Sequence, residues 1–166
     1  MYDELTKVDI QKMQEELEYR ITKVRPEILE EVKFTRSFGD LSENAEYHAA
    51  KRERGRNESR IRYLRNMIKT AIIIDVEETD GVALFDTVTY YVEEDDCEEQ
   101  VRIVTTLRLD PFKNIISKES PLGSALLGKK VGDRVFVKIN ETDGYYVVIK
   151  NIEKGTDDDT LEIRKF

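Results

Sequence analysis

The sequence has no tryptophan, one cysteine, one histidine and three prolines in 166 residues. The lone Cys97 excludes an internal disulfide. It lies in the acidic segment Glu93–Gln100, where neighbouring carboxylates are expected to raise the pKa of a thiol in an exposed loop. His48 lacks the second imidazole or thiolate that a zinc cluster needs, and reads as a surface histidine. No apolar run has the length of a signal peptide or a membrane span. The expectation is a cytoplasmic protein with no membrane partner.

Apolar residues make up 39% of the chain and charged residues 37%, which leaves a thin core. Such a balance suits a long solvated helical element beside a compact domain. The net charge of −8 argues against indiscriminate nucleic-acid binding, but it is unevenly spread. Residues 1–75 hold 15 Lys+Arg and 15 Asp+Glu, and the remainder holds 12 and 20. Within the first part, Lys51, Arg52, Arg54, Arg56, Arg60, Arg62, Arg65 and Lys69 face only Glu53 and Glu58, a local basic stripe on an acidic chain.

Thr6 followed by Asp9 forms a capping-box pattern with Asp in the acidic position. Apolar residues then recur at Ile10, Met13, Leu17, Ile21, Val24, Ile28 and Val32, a narrow helical stripe suited to one partner helix. Pro26 leaves the phase of this stripe intact, so the helix is expected to continue through it with a kink; a break there is the alternative. Gly39 is a stop signal, and Asp40 or Ser42 can cap a second helix. A second periodic run reads Ala45, Ala49, Arg52, Gly55, Ser59, Leu64 and Ile68. Two arms joined by a short turn near 38–44 make an antiparallel hairpin, each arm on the order of 40 Å long at about 1.5 Å per residue.

From Ala71 the periodicity changes to short runs rich in Val, Ile, Thr and Tyr: AIIID, TVTYYV, QVRIVTTL, NIIS, RVFVKI and YYVVIKNI. Asp80-Gly81 and Asp143-Gly144 mark turns, the second a hairpin signal. Ser120 to Gly128 reads as one short helix with Pro121 at its first position. The tail, TLEIRKF, could pair at a sheet edge. The fold class is therefore α+β, with a helical hairpin at 1–75 and a domain of antiparallel sheet plus a short helix at 76–166.

Asp40 and Glu43 lie at the turn, three residues apart, where both can face one side. A carboxylate pair at the end of a rod can hold a divalent ion or orient a water, but it is a poor Mg²⁺ site unless another molecule supplies the remaining ligands. Helix capping alone also accounts for acids at this position.

The stretch Gly39–Lys51, GDLSENAEYHAAK, resembles the tip signature of the GreA/GreB family of transcript-cleavage factors. Ile116-Ser117, Ser120-Pro121-Leu122-Gly123 and Leu126-Leu127-Gly128-Lys129 resemble the family's second signature. Thr105–Leu109 and the tail beyond 153 depart from the family pattern. The resemblance implies an FKBP-like C-terminal domain and a hairpin that enters the secondary channel of bacterial RNA polymerase. It implies that Asp40 and Glu43 help bind a second Mg²⁺, held chiefly by the polymerase, and position the attacking water. The factor would activate RNA hydrolysis in trans rather than act as an enzyme. Its other partner would be the 3′ end of backtracked RNA, with no small-molecule substrate. Arg36, Lys51, Arg52 and Tyr47 would contact that RNA, and Ser120, Pro121 and Leu122 would dock on the polymerase. A channel-binding inhibitor of the same family, or a structural dimerisation module, remains the alternative.

Overall fold

In the computed structural model, residues 2–40, 44–158 and 160–165 are described. Thr6 and Asp9 cap each other as their spacing predicts: the Thr6 N–H donates to Asp9 Oδ2 at 3.0 Å, and the Asp9 N–H donates to Thr6 Oγ1 at 3.3 Å. Helix α1 (Lys7–Tyr19) then runs into a π-turn at Arg20–Val24 and on into α2 (Arg25–Arg36). Tyr19, Val24 and Arg25 all keep right-handed helical dihedrals, so the chain does continue through Pro26. The accommodation is a widened turn. The Arg25 N–H reaches back five residues to the Arg20 carbonyl, just where the next residue, a proline, would crowd the α-helical ladder. All seven members of the apolar stripe are buried or half-buried, Met13 completely.

The return arm, α3 (Ala45–Thr70), packs antiparallel to α2. Partners climb one arm as they descend the other: Thr35 with Asn44, Arg25 with Glu58, Glu16 with Arg60. The face predicted for α3 is corrected here. Of the predicted run, Ala45, Ala49, Arg52 and Gly55 are exposed while Ser59, Leu64 and Ile68 are buried or half-buried, and the buried face is Ala50, Asn57, Arg60, Ile61 and Leu64. Two of those five residues are polar, so a search for apolar periodicity finds only the C-terminal part of the face.

The chain divides into two compact units, Ile10–Ala71 and a second that joins residues up to Asp9 to Ile72–Lys165. This differs from the 75/76 boundary read in the sequence. The reason is a two-residue parallel pairing between β1 (Glu4–Leu5) and β2 (Ile72–Ile73), too short to leave a sequence pattern.

The second unit is built on a five-stranded sheet in the order β5-β4-β3-β7-β6. Its strands are β3 (Thr87–Val92), β4 (Cys97–Val104), β5 (Ile115–Ser117), β6 (Arg134–Lys138) and β7 (Gly144–Glu153). The sheet is mixed rather than purely antiparallel, because β5 runs parallel to β4. Strict alternation in β3 and β6 sends Val88, Tyr90, Val92, Val135 and Val137 into the core with Phe85, Ile103, Leu126, Val147 and Ile149. Helix α4 (Pro121–Leu126) forms where the sequence places it, with Ser120 Oγ accepting from the Gly123 N–H at 3.0 Å and Gly128 at φ +78° beyond its end. Cys97 opens β4 instead of sitting in a loop, and packs half-buried against the core. Burial first, then Glu99, Asp95 and Asp96, push its thiol pKa up. The end of the tail adds no strand among the described residues, contrary to the expectation for TLEIRKF.

Candidate functional site at the hairpin turn

Helix α2 unwinds through Ser37 and Phe38, whose N–H groups donate to the carbonyls of Phe34 (3.1 Å) and Thr35 (3.2 Å). Gly39 comes next at the positive φ expected of a helix stop, +100°, a conformation that side-chain-bearing residues rarely adopt. Asp40, beyond it, is exposed. Leu41, Ser42 and Glu43 lie outside the described residues, so the second carboxylate of the predicted pair has no described position.

The cap on α3 is Asn44, not Asp40 or Ser42. Asn44 Oδ1 accepts from the Tyr47 N–H at 3.0 Å, while its Nδ2 donates to the Thr35 carbonyl on the opposite arm at 2.6 Å. One side chain therefore satisfies a terminal carbonyl of one helix and a terminal N–H of the other. Thr35 is itself buried, its hydroxyl donating back to the Glu31 carbonyl at 2.9 Å. The signal is present in the sequence, since Asn three residues before Tyr47 and at the head of a helical run is a favoured cap.

Tyr47 is half-buried beneath its own turn. Lys51 Nζ lies 5.4 Å from its ring centroid, and the exposed His48 ring lies 5.6 Å away, tilted by 58°. Arg36, Lys51 and Arg52 are all exposed. Two acids on α3 are paired elsewhere. Glu53 pairs with Arg56 at 3.7 Å, and Glu58 takes a two-pronged grip from Arg25 at 2.8 and 2.9 Å. Arg36, Lys51 and Arg52 make no ion pair with a described residue, so their charge faces solvent.

Farther along the arms lies a partly buried ionic ladder that the sequence did not disclose. Arg60, 3% exposed, donates twice to the Glu16 carboxylate at 2.9 Å; Arg20 donates to the same carboxylate at 2.7 Å and to Asn57 Oδ1 at 3.0 Å. Burial by itself would raise the Glu16 carboxyl pKa, but the hydrogen bonds and charges of Arg60 and Arg20 outweigh it and hold it below the usual carboxylate range. These groups fix how the two arms register.

Of the three residues read as a docking loop, Pro121 is exposed, Ser120 is engaged as the cap of α4, and Leu122 packs largely against the core. The turn and the α4 loop belong to different units. No helix of the described chain is long and apolar enough to cross a membrane.

Residues 4–73 match the family model "Transcription elongation factor, N-terminal", and residues 77–154 match "Transcription elongation factor, GreA/GreB, C-term". The chain is 45% identical over 148 residues to the transcription elongation factor GreA of Geobacillus kaustophilus, covering 88% of this chain and 92% of that one. Against the GreA of Bacillus licheniformis it is 44% identical over 151 residues, 90% and 94% of the two chains. A solved structure of the transcription factor Gfh1 aligns over 92% of this chain and 97% of that chain, at 23% identity and a TM-score of 0.46. From Glu4 to Lys154, with only a short interruption, the chain belongs to the GreA/GreB family of transcription elongation factors.

Proposed function

We propose that this elongation factor places its hairpin turn in the secondary channel of bacterial RNA polymerase and stimulates cleavage of backtracked RNA by the polymerase's own active centre. The observation that carries the reading is the exposed Asp40, set beyond a left-handed Gly39 on a turn that Asn44 ties across both arms.

The donor set fits a shared ion. Asp40 and Glu43 offer too few oxygens for a Mg²⁺ that wants about six ligands, so the remainder come from the polymerase, the RNA and water. An ion so completed supplies an activated water and a stabilised leaving oxygen. The chain's own part is to bring two carboxylates to the right place and to orient the water through a carboxylate oxygen. Arg36, Lys51 and Arg52 attract the phosphates of the extruded RNA segment, and Tyr47 offers a ring edge beside them. The factor alone has no nuclease activity in this reading.

The test is cleavage in a stalled, backtracked polymerase complex. The Asp40→Ala, Glu43→Ala double variant is expected to bind polymerase as the parent does and to lose stimulated cleavage by at least about 100-fold. Full stimulation by the double variant would overturn the reading.

A further inference from the structure

The tail after Lys154 lies beyond the family match, while the Thr105–Leu109 segment lies within it. In the structure they meet. The Arg108 guanidinium is completely buried under the Phe85 ring, its centre 5.0 Å from the ring centroid. It donates to Asp9 Oδ1 at 2.5 Å, to Thr6 Oγ1 at 3.3 Å, to the Asp158 carbonyl at 3.0 Å and to the Asp157 carboxylate. Asp9 is also completely buried and is half of the capping box that starts α1. One buried cation is therefore shared between the head of the first helix and the tail.

The described parts of the tail, 155–158 and 160–165, are seated at several points. The Gly155 N–H donates to Asp86 Oδ1 at 3.1 Å, Arg102 Nη2 donates to the Thr156 carbonyl at 3.2 Å, and the Arg164 N–H donates to the Leu107 carbonyl at 2.6 Å. Leu161 packs against the core. Gly155 passes so close to the Phe85 carbonyl that any Cβ there would overlap it, with backbone on the other side of the clash.

We propose that residues 155–158 and 160–165 form a strap whose seating is sensed at the start of α1 through Arg108, so that the tail acts as an intramolecular latch on the Thr6–Asp9 cap. Burial makes the coupling strong. With the strap seated, the guanidinium has two carboxylates and is sealed from water. With the strap lifted, the Arg108–Asp9 pair is open to solvent and worth far less, as exposed pairs are. The tail thus sets how firmly the first turn of α1 is held.

Hydrogen exchange on full-length variants tests this. Gly155→Val lifts the strap sterically without touching Arg108 or Asp9. It is expected to speed amide exchange in residues 3–9 by about tenfold or more, while the central strand amides of Val88 and Tyr90 stay protected. In an Arg108→Met background the same substitution is expected to add no further acceleration at residues 3–9, because the sensing group is gone. Asp157→Asn, a milder change that leaves the backbone path intact, is expected to give an intermediate effect and serves if Gly155→Val disturbs the sheet. Unchanged exchange at residues 3–9 in both strap variants, or equal acceleration with and without Arg108, would overturn the proposal.

Discussion

Asn44 does at one position what two separate caps usually do. Replacing it by Ala removes the cap on α3 and the bond to the Thr35 carbonyl together. The expected cost is about 1–2 kcal/mol, the range for loss of a strong cap, read as a lower melting temperature of the hairpin transition. Asn44→Ser separates the two roles. A serine hydroxyl can still accept from the Tyr47 N–H but is too short to reach Thr35, so its stability is expected to fall between the parent and Asn44→Ala. Equal melting for parent and Ala variant would show that the cross-arm bond contributes nothing. At this scale the sequence is partly readable. Gly39 is identified as the helix stop by its need for positive φ, and the Thr6–Asp9 box by spacing. Asn44 is harder to single out because two other good caps, Asp40 and Ser42, stand just ahead of it.

At the level of whole elements, the first arm is legible and the second only toward its C-terminal end. The stripe from Ile10 to Val32 is apolar and in phase, so periodicity finds it. The partner face on α3 is Asn57 and Arg60 as much as Ile61 and Leu64, and no hydrophobic pattern reports a buried guanidinium. The sheet is legible because its strands alternate; the parallel β4–β5 pairing is not, since β5 has three residues and its direction depends on the connection. The ionic ladder has a pH signature with a definite sign. The folded state holds the Glu16 carboxyl below its ordinary value, so its stabilising contribution is fully present above the unfolded value and is lost as pH falls through the folded one. Glu16→Gln leaves Arg60 buried without its counter-charge and is expected to cost about 3 kcal/mol at neutral pH. The difference in melting temperature between parent and variant should shrink as pH falls past the ordinary glutamate value and through the lower folded one, where the parent's carboxyl also becomes neutral. A gap independent of pH would mean that packing, not charge, sets the registry.

Over the whole molecule, charge is the property that decides how an acidic protein can approach RNA. The net charge is −8, yet residues 1–75 balance at zero, and Glu53 pairs with Arg56 and Glu58 with Arg25, while Arg36, Lys51 and Arg52 near the turn have no ion-pair partner among the described residues. If these three meet phosphates of the extruded strand, each contact releases a condensed counterion, and the dependence of apparent affinity on salt counts them. For single-stranded nucleic acid the slope of log affinity against log salt is about −0.7 per phosphate contact, so replacing all three by Gln should flatten it by about 2. The quantity to measure is the factor concentration giving half-maximal cleavage of a backtracked complex across a KCl series, for the parent and the triple variant. Cleavage at saturating factor should stay near the parent's level, because Asp40 and Glu43 are untouched. A variant that loses the plateau but keeps the parent's salt slope would place these cations at the chemistry instead of along the RNA path. Parallel slopes with an unchanged plateau would leave them no part in RNA contact, and the attraction would have to come from the basic residues farther down α3.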